Sequence, residues 1–147
     1  MTSRLPAFVV VLSLLVAGCG DGAIEQPDTG ADTLPDLLIT DISLGEGPAV
    51  AAGQIAVVHY TIWLRDAAAA DQKGQMIQSS KENGSPFDFQ IGRREVIDGW
   101  DQGVPGMKVG GVRELRVPSR LAYGPGGMGP IPGNQDLIFE IELLEIQ

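Results

Sequence analysis

Apolar side chains that alternate with polar ones constrain this chain more than any other feature. In "LIFEIELL", Leu137, Phe139, Ile141 and Leu143 fall on one face, and Glu140 and Glu142 fall on the other. "PFDFQIG" puts Phe87, Phe89 and Ile91 on one face, and "RELRVP" sets Arg113, Leu115 and Val117 against Glu114 and Arg116. A period of two is the mark of half-buried antiparallel strands. "IAVVHYTIWL", Ile55 to Leu64, is apolar on both faces and reads as a central strand, and "LLITDISL", Leu37 to Leu44, reads as a weaker one. Gly- and Pro-containing turns separate these runs. About five strands result, and a sheet with one greasy face needs a cover.

Only one stretch offers that cover. "EVIDGWDQGVPGMKVGG", Glu95 to Gly111, spaces Val96 or Ile97, Trp100 and Val104 by three and four residues, as a helix does. A two-turn helix does not form alone in water, and each internal glycine costs it about 1 kcal/mol. Asp98–Val104 is therefore expected to be held by packing. Gly99 and Gly103, one turn apart, bare one side of the helix so that its backbone can approach the sheet. Trp100 then points between helix and sheet, either as plain core or as the floor of a pocket. The fold class expected is α+β, a bent antiparallel sheet of about five strands wrapped around one short α-helix. A length of 147 residues fits a single domain.

The N-terminus reads differently. Arg4 precedes "AFVVVLSLLVAG", an apolar run too short to span a bilayer comfortably, so residues 1–18 read as a secretory signal. "VAGC", Val16 to Cys19, resembles the bacterial lipoprotein cleavage box, in which the cysteine is lipidated. The single Cys19 has no partner for an internal disulfide, in keeping with that role. "GDGAIEQPDTGADTLPD" then supplies an acidic tether, so that residues 19–36 carry the lipid and a linker of roughly 20–25 Å r.m.s. span. The expectation is an exported domain, residues 37–147, anchored by lipid at Cys19 to the bacterial membrane and facing the periplasm or exterior. Gly20, rather than Asp, leans towards the outer membrane where a cell has two. With a net charge of −9 the chain lacks the basic footprint of a nucleic-acid binder.

Five segments in order resemble the FKBP-type peptidyl-prolyl cis/trans isomerases: "VVHYTIWL", "SSKENGSPFDFQIG", "EVIDGWDQGVPGMKVGG", "VPSRLAYGPGG" and "IPGNQDLIFEIELLEI". The resemblance covers about residues 38–147. It implies a pocket formed by Tyr60, Phe87, Val96, Ile97, Trp100, Tyr123 and Phe139, identical in type to the family pattern. Two positions depart from it: Ile77 stands where the family usually has phenylalanine, and Gln78 where it usually has aspartate. Ile77 keeps a wall apolar without a ring face. Gln78 lacks the charge of a buried carboxylate, so a Gln78→Asp variant is expected to turn over faster. Ala67–Gln72 reads as a loop insertion, and "YGPGG", which lacks the Lys-Ser/Thr ending of a phosphate loop, reads as a flexible flap.

The resemblance further implies proline-containing unfolded or exported polypeptides as partners, macrolide-type molecules as pocket ligands, no cofactor and a monomeric state. The Ile97 amide, at a helix start where N–H groups lack intrahelical acceptors, and the Tyr123 hydroxyl are the expected donors to a ligand. His59, the only histidine, reads as a structural strand residue, and no clustering of cysteines or carboxylates suggests a metal site. The alternative function is a module that binds proline segments, or a chaperone module, with weak or no turnover.

Overall fold

The computed structural model describes residues 33–147. The signal segment, Cys19 and the tether up to residue 32 lie outside the described residues. Six strands form one antiparallel sheet: β1 (Leu38–Ser43), β2 (Ile55–Arg65), β3 (Lys73–Ser79), β4 (Phe87–Gln90), β5 (Val112–Val117) and β6 (Leu137–Ile146). The order is β1-β5-β6-β2-β3, with β4 also on β2. β6 pairs with β2 from Ala56 to Leu64, so β3 and β4 divide the other edge of β2 between them. Register shifts within β2–β6, β2–β3 and β1–β5 mark bulges. Bulges of this kind sharpen local twist and bend a sheet.

The alternation read from the sequence sets which face is inside. In register, Val58 faces Leu143, Ile62 faces Phe139, and Phe139 in turn faces Leu115. Leu115, Val117, Leu137, Phe139, Ile141 and Leu143 are all buried. The short helix α2 (Asp98–Gly103) covers this concave face, ending one residue earlier than the spacing predicts, with Val104 as its cap. A methyl group added at Gly99 would sit 2.5 Å from a Val117 methyl, and one at Gly103 would sit 2.7 Å from two Leu115 methyls. The bare stripe of the helix therefore lies directly on β5.

Two elements were not expected from the sequence. β3 carries Gln75, Met76 and Gln78 exposed to solvent, so its edge position leaves no buried alternation to read. α1 (Ser80–Asn83) is a single turn closed by Gly84 at φ +67°. It is anchored by its first side chain: the Ser80 hydroxyl accepts from the Tyr60 amide at 2.8 Å and lies 3.0 Å from His59 Nδ1. His59 thus serves the strand–helix junction, as its lone position suggests. Residues 67–72 form turns between β2 and β3, where the insertion was expected.

The domain also takes in residues before Leu37. Leu34 is buried and its amide donates to the Asp136 carboxylate, which also accepts from the Ser119 amide at 2.8 Å. Arg120 holds the Pro35 carbonyl at 2.7 Å. The last residues assigned to the tether by composition therefore pack on the domain. No helix among the described residues is long and apolar enough to cross a membrane.

Candidate active site

A cavity of about 230 Å³ opens between α2, the concave face and the loop after β5. β2 contributes Tyr60 and Ile62, β3 contributes Gln78, β4 contributes Phe87, and β6 contributes Phe139. Glu95, Val96 and Ile97 come from the turn entering α2, and Trp100 from α2 itself. Tyr123 and Met128 close the other side. A second hollow of about 200 Å³, lined by Arg65, Asp66 and Asp136 among others, has no aromatic wall.

Trp100 is the hub. It is 4% exposed, and four rings surround it: Tyr60 at 5.3 Å, Phe89 at 5.3 Å, Phe139 at 5.4 Å and Phe87 at 6.1 Å between centroids. The Tyr60, Phe87 and Phe139 planes stand at 73–81° to the indole. Edge-to-face contacts of this type each contribute about 0.5–1.5 kcal/mol beyond area burial. Trp100 is thus both core and floor, which resolves the alternative left open by spacing. Its buried Nε1 has no hydrogen-bond partner among the described residues, so the floor carries an unspent donor.

The walls are less rigidly enclosed. Phe87 is 39% exposed, so one ring face stands at the mouth. The turn that presents Val96 and Ile97 is tied down by Asp101, whose two carboxylate oxygens accept from the Gly92 and Arg94 amides at 2.9 and 3.0 Å. Glu95 accepts from the Gln90 amide at 3.0 Å. The Ile97 carbonyl accepts from Trp100 and Asp101, while the Ile97 amide has no acceptor among the described residues. That is the donor expected from its place at the helix start. Burial, followed by the nearby Tyr60, pushes the Tyr123 hydroxyl above its ordinary pKa, so it remains a protonated donor at neutral pH.

The flap beyond Tyr123 has a defined backbone. Met128 and Ile131 exchange two hydrogen bonds of 2.9 Å, the Asn134 amide donates to the Gly124 carbonyl at 2.8 Å, and Ile131 is buried in the core. Gly133 lets the Pro125 carbonyl pass through the space where a Cβ would stand. The glycines of this segment serve close backbone crossings as well as turns.

Eight of the nine residues proposed from sequence line the cavity: Tyr60, Gln78, Phe87, Val96, Ile97, Trp100, Tyr123 and Phe139. Ile77 does not; it packs half-buried against the core. In the β2–β3 ladder Gln78 lies opposite Ile62, and those two residues reach the cavity. Ile62 supplies the apolar wall expected of Ile77. Gln78 is exposed at the rim, so a carboxylate there would be screened by water and not buried, as the sequence reading assumed. Ile62, Glu95 and Met128 were missed. Ile62 sits in a run that is apolar on both faces, where alternation cannot assign a side. Glu95 and Met128 lie in turns, where no periodicity operates. Among the described residues no group of three or more metal-binding side chains is assembled.

The model of the FKBP-type peptidyl-prolyl cis-trans isomerase family matches residues 47–144. The chain belongs to this family. An FK506-binding protein from Streptomyces anulatus is 43% identical over 129 residues, covering 84% of this chain and 99% of that protein. FK506-binding protein 4 of Emericella nidulans is 44% identical over 118 residues, covering 80% of this chain and 23% of the fungal protein. The chain therefore spans nearly all of the bacterial relative and about a quarter of the fungal one. Among solved structures, AtFKBP13 superposes with a TM-score of 0.66 at 36% identity, covering 78% of this chain and 96% of that one. FkpA from Escherichia coli superposes with a TM-score of 0.65 at 33% identity, covering 76% and 48%. The bent sheet around a short helix is the fold these FKBP chains share.

Proposed function

We propose that this chain catalyses cis/trans isomerisation of X–Pro bonds in exported polypeptides, with the aromatic cavity as its active site. The observation that carries this reading is the cavity itself: an indole floor, aromatic and aliphatic walls, and donors at the helix entrance and flap. The reaction needs neither a nucleophile nor a metal. An X–Pro bond has only a small trans preference but a rotation barrier of about 18–20 kcal/mol. Amide resonance creates that barrier and separates charge between oxygen and nitrogen. Twisting the bond removes resonance and reduces the charge separation. A mainly aromatic and aliphatic surround therefore disfavours the planar amide relative to the twisted one, which is differential binding of the transition state. The Ile97 amide and Tyr123 hydroxyl orient the flanking carbonyls while the ring rotates over Trp100.

A binding or chaperone module with the same pocket and little turnover is the second reading, favoured by the uncharged Gln78 at the rim. The test is isomerisation of a short X–Pro peptide by the full chain, with and without FK506 as the pocket ligand. Acceleration that FK506 abolishes supports the enzyme. Tight FK506 binding without acceleration supports the module, and neither result rejects both. Since Gln78 is exposed, the faster turnover expected of Gln78→Asp shrinks to about two- to threefold.

The lipoprotein reading belongs with this proposal. Lipidation at Cys19, after removal of residues 1–18, would hold a monomeric domain close to the membrane, outer if the cell has two, on the side that exported chains occupy. The positions of "VAGC" and of the acidic tether support it. Incorporation of labelled palmitate that disappears in Cys19→Ser tests it, and equal labelling of the two proteins rejects it.

A further inference from the structure

We infer that Met128 is an oxidation site through which a peroxide lowers the affinity of the cavity for its ligand. The inference rests on the cavity being the substrate site, as proposed above. Four methionines are present in the chain. Met107, at 3% exposure, is enclosed in the core, while Met128 is 59% exposed and also lines the cavity. Met76 is 42% exposed on the edge strand β3 and does not line the cavity. Met1 lies outside the described residues.

The place of Met128 in the flap couples its chemistry to the mouth. Its backbone is fixed by the two hydrogen bonds to Ile131, and Ile131 is buried in the core. The side chain is therefore carried on a defined hairpin and not on a free loop. Gly127 and Gly129 flank it, so no neighbouring side chain in sequence shields the sulfur. The other exposed apolar group lining the cavity is Phe87. These two groups form the exposed apolar part of the mouth, beside the polar Gln78 and Glu95.

The step is a two-electron oxygen transfer. The thioether sulfur attacks one oxygen of hydrogen peroxide, an S–O bond forms and the O–O bond breaks. Sulfur is oxidised to the sulfoxide, the peroxide is reduced, and the departing hydroxide takes a proton to leave as water. The product replaces a soft apolar side chain by a strongly polar one. A ligand that buries this side chain then has to desolvate the sulfoxide oxygen.

The test treats the full-length protein, Met128→Leu and Met76→Leu with hydrogen peroxide and maps oxidised peptides by mass. FK506 affinity and X–Pro peptide turnover are then measured, each protein being compared with its own untreated sample. Cys19 is present in all three, so its oxidation is common to them. The expected result is early oxidation of Met128, no early oxidation of Met107, and an affinity about three- to tenfold weaker in wild type and Met76→Leu. Met128→Leu is expected to change less than twofold, and methionine sulfoxide reductase is expected to restore the wild type. Equal losses in all three proteins, or oxidised Met128 with unchanged affinity, would overturn the inference. Untreated protein that neither binds nor turns over rejects the isomerase reading itself, a result distinct from either of these.

Discussion

Along β6, Phe139, Ile141 and Leu143 are buried against α2 and its neighbours, whereas Glu140 and Glu142 on the opposite face meet lysines. The two faces of the sheet hold themselves together by different means. The concave face is a continuous apolar cluster that includes Trp100 and merges with the cavity. The convex face is an ionic lattice: Lys73 lies 3.1 Å from Glu114, 3.4 Å from Glu140 and 4.6 Å above the Trp63 ring, and Arg116 lies 2.9 Å from Glu114. Partial burial of Lys73 works against its charge, but Glu114 and then Glu140 outweigh this and hold its pKa above the ordinary lysine value. Deleting atoms on the concave face leaves a hole beside the cavity. Deleting one of the outer charges of the convex face, Glu140 or Glu142, each about a third exposed, leaves its partner another carboxylate or water. Activity therefore depends on the concave face, and the convex charges add little to stability beside the side chain buried among them, Ile138.

The largest effect is expected at Phe139, which is 2% exposed and packs on Trp100. Phe139→Ala is expected to destabilise by about 3–5 kcal/mol, read by urea unfolding, because the transfer and cavity terms add. A loss under 1 kcal/mol would show that the concave face is not the rigid half.

Arg113 is the exception that sharpens the comparison, since it is a charge on the concave side. It donates to the Gly103 and Pro105 carbonyls at 2.8 and 3.2 Å and to both oxygens of Asp41 at 2.6 and 3.1 Å. The cation sits where the carbonyls at the end of α2 lack partners. Arg113→Ala is expected to cost about 2 kcal/mol by the same unfolding measurement, because these acceptors and the Asp41 charge are then left without it. The hydrogen bonds from Arg113, reinforced by its charge and opposed by burial, hold the Asp41 carboxyl below its ordinary value of 3.8. A carboxyl held low in the fold stabilises fully above its unfolded value and loses that contribution as pH falls through the folded one. Stability of the wild type should therefore decline below about pH 4 more steeply than that of Asp41→Asn. Parallel acid-unfolding curves would remove Asp41 from the account.

The smallest effect belongs to the convex lattice. Glu140 is a third exposed, and Lys73 keeps Glu114 when Glu140 is lost. Glu140→Gln should change stability by no more than about 0.5 kcal/mol and leave peptide turnover intact. A loss comparable to that of Phe139→Ala would break the contrast between the faces.

The legibility of the chain follows the same division. The buried faces of β4, β5 and β6 were readable because burial enforces a period of two. α2 was readable from Trp100 and its two glycines, although its propensity argued against a helix. β3 and α1 were not, because an exposed edge strand and a single capped turn leave no apolar pattern. At the site, eight residues came from motif resemblance. Ile62 and Met128 were not legible, one because its strand is apolar on both faces and the other because it sits among glycines in a hairpin.

The most direct test of the aromatic cavity as the catalytic element uses Phe87, the wall residue with the least structural debt. It is 39% exposed, yet it sits edge-on to both Tyr60 and Trp100. Turnover of an X–Pro peptide and thermal unfolding should be measured side by side for wild type and Phe87→Ala. The expected outcome is about a tenfold loss in kcat/KM with Tm lowered by only about 4–8 °C, the shift that a loss near 1 kcal/mol produces. Unchanged kcat/KM in a folded Phe87→Ala protein would contradict the account, because the rotating bond would then not depend on the aromatic wall.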